Sequence, residues 1–268
     1  MGQFFNALLK EALFTSEMLS AGYEQIGKAN FTQKGLYFQA FTSLSTGLER
    51  LGKIIFIMDY IITNNGNLPN EEYMKKELGH DLEIIYLKIK DIQIKYNFKL
   101  NGLQDLEEKY CKKILNILSR FGKGDRYSNI DLLINKRNYI DPINSWFNEI
   151  DMGLFNDKIK KSKKERIINE SKFLNIIMSE ISMVVHTRED ENKIDTIYEH
   201  NFQSQVYYSI EKYRRICVYQ IIRFFVEILF GLQNYIQQNN LFNIPHFNEI
   251  FSIYFWDEKY ISRRKTLV

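Results

Sequence analysis

Apolar residues recur every three or four positions along most of the chain, which is the spacing of one face of an α-helix. The pattern predicts helices over residues 4–26, 36–63, 103–121, 167–185 and 203–238. Only 3 prolines and 13 glycines interrupt the chain, whereas sheet-rich folds need many turn residues. The sequence therefore predicts an all-α fold, an up-and-down helical bundle with very little strand.

Polar breaks separate these helices and carry recognisable start and stop signals. In "NNGNLPNEE", Asn70 is the predicted N-cap of a short helix over residues 71–76. Gly79 is predicted to end that helix. Asp81 then follows where a carboxylate can accept the free N–H groups of the next helix. A further helix is predicted to begin at Asp141-Pro142.

The composition changes near the lysine-rich run "KIKKSKKER", residues 158–166, which is typical of a solvated helix face or a linker. We therefore divide the chain into a helical bundle over residues 1–150 and a helical extension over residues 151–268 that packs on it. A single continuous domain is the alternative.

Composition excludes several classes of function. The net charge of +3 gives no argument for non-specific nucleic-acid binding, although a local basic patch is compatible with it. The two cysteines, Cys111 and Cys217, are expected to be a reduced pair and not a metal site. We find no secretion signal, no uncharged apolar stretch of about 18 residues and no cofactor motif. The sequence therefore predicts a cytoplasmic protein with no membrane contact, no metal and no cofactor.

Three short motifs follow one another in the N-terminal half: "SLSTGLERLGKIIFIMDYII", "ELGHDLEIIY" and "FGKGDRYSNID". Their order resembles that of HEPN-domain proteins, a helical-bundle family of prokaryotes. In that family, a helix with an acidic residue and a lysine precedes a His-Asp-Leu helix start, and an Arg-Tyr pair often comes later. The resemblance covers about residues 1–140. The motif residues that carry it are Glu49, Lys53, His80, Asp81, Arg126 and Tyr127.

The resemblance implies a bundle that is often dimeric and serves toxin–antitoxin, abortive-infection and other defence systems. Many members are metal-independent ribonucleases whose signature is an arginine, four to six residues and then a histidine. No arginine of this chain has a histidine in that window, and the closest following pair is Arg188 and His200. The chain therefore departs from the ribonuclease signature of the family.

Two interpretations of the motif residues stay open. In the functional one, His80 is an acid–base or substrate-binding residue in a polar cluster with Glu49 or Arg126. Glu49, Lys53 and Asp81 then help to bind the ligand. Arg126 then stabilises phosphate charge and Tyr127 stacks on a base. In the structural one, His80 and Asp81 cap a helix, Arg126 pairs with Glu49 or Asp81, and Tyr127 fills the edge of the core.

The arginine-rich run "YRRICVYQIIRFF", residues 213–225, has a similar ambiguity. Arginines among aromatic residues can bind single-stranded nucleic acid, and they can also keep the outer face of a buried helix in water. His186 lies at a predicted helix end, where a cationic histidine suits the helix dipole.

The first functional hypothesis is a bacterial defence protein that engages RNA or a nucleotide-containing ligand. If it is catalytic, it would cleave RNA without a metal. The alternative is a non-catalytic interaction or scaffold subunit of a defence complex, with a protein partner. We also expect a homodimer, because several phenylalanines exceed what one buried stripe needs, namely Phe4, Phe5, Phe224, Phe225 and Phe230.

Overall fold

The computed structural model describes residues 2–73, 79–135 and 140–267, and helices dominate it. The helices are α1 (Gln3–Lys28), α2 (Gly35–Thr63), α3 (Leu82–Lys95), α4 (Lys109–Lys123), α5 (Ser128–Leu133), α6 (Pro142–Trp146), α7 (Met152–Lys158), α8 (Lys161–Met178), α9 (Ile197–Gln238), α10 (Phe247–Ile250) and α11 (Glu258–Ile261). Irregular helical turns are Asp125–Tyr127, Phe147–Asp151, which is a π-helical turn, and Ser252–Phe255. The described strands are β1 (His186–Thr187) and β2 (Lys193–Ile194), an antiparallel pair with His186 opposite Ile194. The predicted all-α class is confirmed.

The first two helices form an antiparallel pair that depends on small residues. A Cβ atom added at Gly22 would lie 2.6 Å from the Leu44 side chain, and one at Gly47 would lie 2.8 Å from Leu19. Only glycine permits this approach of the two backbones, so α1 and α2 pack closely at these contacts.

Helix α3 runs parallel to α2, and α4 runs antiparallel to α3. Gly52 of α2 leaves room for the Ile85 side chain of α3. Further along both helices, Asp59 of α2 accepts a hydrogen bond from the Lys95 ammonium of α3 at 2.7 Å, so the two helices run in the same direction. A short helix is predicted between α2 and α3, so these two helices are not successive members of the predicted up-and-down alternation. The start of α3 lies beside the middle of α2.

Helix α9 is the central helix and packs against α1, α2, α4 and α8. By length and composition alone α9 could cross a membrane, but a buried core helix can have the same length and composition. Of the most apolar 18-residue stretch of α9, 72% is buried inside the protein. Side chains from both sides of residue 150 join one hydrophobic core around it.

Several helix bounds differ from the predicted ones because capping residues, not apolar spacing, set them. Helix α4 begins at Lys109, where Glu108 accepts two backbone N–H groups, and α9 begins at Ile197, where Thr196 forms a capping box. The lysine-rich run begins at the last residue of α7, Lys158, and continues into the first turns of α8, which ends at Met178 and not at residue 185.

The short helix predicted over residues 71–76 is described only in part. Residues 71–73 are helical, and Asn70 accepts a hydrogen bond from the Tyr73 N–H at 2.8 Å, as expected of an N-cap. The remainder of this predicted helix, over residues 74–76, lies outside the described residues. Gly79 is not helical.

Four of the five phenylalanines that motivated the homodimer have contacts within the chain. Phe224 and Phe225 are buried, Phe230 stacks on Phe255 with ring centroids 4.3 Å apart, and Phe4 contacts the edge of Phe242. Phe4, Phe5 and Phe230 are half-buried, and the homodimer stays a prediction.

Candidate functional site

Three of the motif residues meet where the start of α3 lies beside α2. Glu49 and Lys53 are one helical turn apart on α2, and His80 precedes α3 by two residues. The end of α4 lies against the same point, since a Cβ atom at Gly122 would be 3.4 Å from the His80 carbonyl oxygen. We call the group formed by Glu49, Lys53 and His80 the His80 site.

Glu49 is the centre of the His80 site. Its two carboxylate oxygens each lie 3.0 Å from His80 Nδ1, and its Oε1 accepts a hydrogen bond from the Lys53 ammonium at 2.5 Å. A carboxylate only accepts hydrogen bonds, so the proton between the two groups belongs to Nδ1. In the neutral ring Nε2 is then an acceptor with no partner among the described residues, on a side chain that is 72% exposed.

The contacts of Glu49 also shift its pKa. Burial raises the pKa, but the hydrogen bonds from Lys53 and His80, together with their charges, outweigh burial and lower it overall. Glu49 is therefore an anion at neutral pH that holds one cation and one imidazole.

Asp81 has a different task from its neighbour His80. Its carboxylate accepts the Glu83 N–H at 3.0 Å and the Ser119 hydroxyl at 2.8 Å, and it pairs with the Lys123 ammonium. Burial raises the pKa of Asp81, but the hydrogen bonds from Lys123 and Ser119 outweigh burial and lower it. Asp81 therefore caps α3, as the structural interpretation expected, and the carboxylate that holds the imidazole is Glu49.

Arg126 and Tyr127 lie in the turn that follows α4 and do not join these carboxylates. The Arg126 guanidinium sits over the Tyr127 ring, 5.0 Å from its centroid, and both side chains are exposed. The expected pairing of Arg126 with Glu49 or Asp81 is absent from the described contacts, because Lys53 and Lys123 hold those two carboxylates. Tyr127 does not fill the edge of the core.

A second polar cluster, which the motifs did not reveal, lies inside the protein. Arg214 and Asp151 have fully buried side chains and form a two-point ion pair, with Arg214 Nε 2.7 Å from Asp151 Oδ1. Arg214 also donates to the Ala29 carbonyl at 2.6 Å and to the Tyr37 hydroxyl at 2.9 Å. One guanidinium therefore joins α9, the π-helical turn, the end of α1 and the start of α2.

Glu189 and Tyr207 extend this cluster. We call the group formed by Tyr37, Asp151, Glu189, Tyr207 and Arg214 the Arg214 network. The Tyr207 hydroxyl donates to one oxygen of Glu189, and the Tyr37 hydroxyl donates to the other at 3.1 Å. Burial raises the pKa of the Glu189 carboxyl, and the hydrogen bond from Tyr207 opposes that rise. An open cavity of about 350 Å³ lies beside Tyr207, between the end of α1 and α9.

The arginine-rich run of α9 contradicts both interpretations offered for it. Arg214 and Arg215 are buried, and Arg223 pairs with the buried Glu227. Their guanidinium groups therefore neither keep an outer face in water nor offer a platform for nucleic acid. The signal was available in the spacing, because Arg214 follows Ile210 by four positions and so falls on the buried stripe.

Within the described residues, no group of three or more histidine, cysteine, aspartate or glutamate side chains is arranged to hold a metal ion. Cys111 and Cys217 are free, buried thiols. Burial raises the pKa of both, which makes them unreactive as thiolates.

Comparison with known proteins does not add to this geometry. No protein-family model, curated protein or solved structure matches the chain.

Proposed function

We propose that the protein binds RNA or a nucleotide-containing ligand at the His80 site and cleaves RNA there without a metal, as part of cytoplasmic prokaryotic defence. The observation that carries the proposal is the contact of Glu49 with His80 Nδ1 at 3.0 Å beside an imidazole that is 72% exposed. A carboxylate that fixes the tautomer of a histidine and leaves Nε2 open is an arrangement suited to general acid–base chemistry.

The reaction we propose is attack of a ribose 2′-hydroxyl on the adjacent phosphorus. His80 Nε2 accepts the hydroxyl proton as the new oxygen–phosphorus bond forms. The bond to the 5′-oxygen breaks, and that oxygen takes a proton from water. The hydroxide that remains takes the proton back from His80 Nε2, which restores the neutral imidazole and the water. The products are a 2′,3′-cyclic phosphate end and a free 5′-hydroxyl end, so no metal or redox partner is needed.

Cationic and aromatic side chains on α2, at the end of α4 and in the turn that follows α4 suit the rest of such a ligand. Lys53 is bonded to the carboxylate that holds His80, and Lys123 lies at the end of α4 that contacts the His80 backbone. Arg126 follows Lys123 by three positions and offers a planar guanidinium to phosphate. The exposed ring of Tyr127 offers a surface on which a base can stack.

A second candidate is a non-catalytic subunit that docks a partner of a defence complex. It is favoured by the position of Arg126, which contacts its neighbour Tyr127 and neither His80 nor Glu49 among the described contacts. If His80 is a general base with no arginine beside it, the site lacks the group that stabilises the negative charge developing on the phosphate. This candidate uses the same surface for binding alone.

The test is incubation of the purified protein with a mixture of RNAs in EDTA, with cleavage and binding measured separately. The variants are His80→Ala and Glu49→Gln, and the matched control is His246→Ala, an exposed histidine at the other end of the chain. We expect cleavage by the wild type and the control, with 2′,3′-cyclic phosphate ends. We expect a loss of about 100-fold or more for His80→Ala, which is the usual contribution of a general base.

The outcomes separate the two candidates. RNA binding without cleavage, weakened by Arg126→Ala, supports the non-catalytic subunit. Cleavage that His80→Ala leaves intact, or the absence of both binding and cleavage, contradicts the proposal.

A further inference from the structure

Residues 158–185, which we call the basic–apolar segment, comprise the end of α7, all of α8 and the chain that follows it. Between residues 158 and 172 the sequence has seven basic residues and two acidic ones. The excess of five positive charges in this short stretch is larger than the net charge of the whole protein, +3.

The second half of the segment is apolar and exposed. Phe173, Ile176 and Ile177 lie on the last turns of α8, and the chain then continues through Ile181 and Met183. Their exposed fractions run from 50% to 90%. Large apolar patches of this kind on a protein surface mark an interaction site.

The packing of α8 against α9 leaves the apolar side chains of its last turns facing solvent. Ile167 and Ser171 are the buried residues of α8, and the Ser171 hydroxyl accepts a hydrogen bond from the Asn201 amide of α9 at 3.0 Å. With that side held against α9, Phe173, Ile176 and Ile177 must point away from the core.

Few of the positive charges in the segment are neutralised. Lys161 and Glu165 are 4.0 Å apart on an exposed turn, and within the described chain Lys160 pairs with no carboxylate. Burial lowers the pKa of Lys163, and the charges of Arg166 and Lys212 lower it further. The segment therefore presents a positive surface that continues directly into an apolar one.

We propose that the basic–apolar segment binds the surface of an anionic lipid bilayer. Lysines attract anionic headgroups, and apolar side chains that follow them enter the boundary between headgroups and acyl chains. A second copy of this chain would bring the same positive charge to the contact, whereas anionic lipids neutralise it. The inference needs no membrane-spanning helix and is independent of the proposed function, but it departs from the sequence-based expectation of no membrane contact.

The test is sedimentation of the full chain with lipid vesicles. One set contains phosphatidylcholine alone, and the other contains phosphatidylcholine with about one third phosphatidylglycerol. We expect binding to the anionic vesicles, little binding to the neutral ones, and weaker binding as salt screens the charges.

Variants separate the contributions of charge and apolar surface. Lys160→Ala and Lys161→Ala should each weaken binding about fivefold, the effect of one surface lysine near an anionic membrane. The double variant Ile176→Ser, Met183→Ser should weaken it more than tenfold. The matched controls are Lys10→Ala and Ile94→Ser, which change exposed residues on α1 and α3 and should leave binding unchanged.

Binding that is equal on both vesicle types, or absent from anionic vesicles, overturns the proposal. Light scattering of the same samples identifies the competing partner. A dimer that the Ile176→Ser, Met183→Ser variant converts to a monomer would assign the segment to a second copy of the chain and overturn the lipid proposal.

Discussion

In both the Arg214 network and the His80 site a carboxylate holds a cationic or imidazole side chain, but the two clusters differ in their access to water. In the Arg214 network both partners of the central ion pair are fully buried, and the donors of Arg214 serve Asp151, Ala29 and Tyr37. In the His80 site, Glu49 is mostly buried but His80 faces solvent. The same kind of contact thus joins secondary-structure elements in one place and holds an exposed imidazole in the other.

Burial decides how much each cluster stabilises the fold. An ion taken out of water must keep all of its partners, because a buried charge left alone costs several kcal/mol. An exposed pair loses little when it is broken, since water replaces the missing partner. We therefore expect substitutions in the Arg214 network to change stability, and substitutions of His80 to change function.

The largest expected effect follows loss of the Arg214 guanidinium. Arg214→Met leaves Asp151 buried without its cation and the Ala29 carbonyl without its donor. The free energy of unfolding should fall by about 3–5 kcal/mol, measured by urea denaturation. The control Arg263→Met changes an exposed arginine and should have little effect. A loss below about 1 kcal/mol for Arg214→Met would show that the network does not hold the fold together.

The next effect tests the outer part of the same network. Tyr207→Phe removes a donor from the buried Glu189 carboxylate and should lower the free energy of unfolding by about 1–3 kcal/mol. Tyr208→Phe is the control. Because the Tyr208 side chain is exposed, this substitution should hardly change the free energy of unfolding. Equal losses for the two variants would contradict a specific role for the Glu189 contact.

A smaller effect is expected from the cap of α3. Asp81→Ala should cost about 1 kcal/mol at neutral pH, and Asp91→Ala, an exposed position on the same helix, should cost little. The pKa of Asp81 is lowered in the folded protein, so its contribution is present above the ordinary aspartate pKa of about 3.9 and is lost as the pH falls through the folded pKa. Denaturation midpoints of wild type and Asp81→Ala should therefore converge in acid, and a gap that persists there would exclude the charged cap.

Much of the helical fold could be predicted because it depends on local spacing. The apolar positions of α1 and α2 recur at helical steps, and their predicted bounds agree with the structure to within about two residues. The contact of His80 with Glu49 was also expected, since a polar group among apolar turns needs a partner.

The Arg214 network could not be predicted from motifs because its members are far apart in sequence. Asp151 and Arg214 are separated by 63 positions, and Arg214 and Ala29 by 185. Which helix ends meet is a property of the whole fold. Arg214 was misjudged because its charge suggested the outer face, although its position lies on the apolar stripe.

The most direct test of the difference between the two clusters is the free energy of unfolding of His80→Ala, measured by urea denaturation beside the wild type. Because the side chain is 72% exposed, we expect a change within about 1 kcal/mol. A loss of about 2–3 kcal/mol, as large as that expected for Tyr207→Phe, would show that the His80 site is a structural cluster like the Arg214 network and would contradict the account.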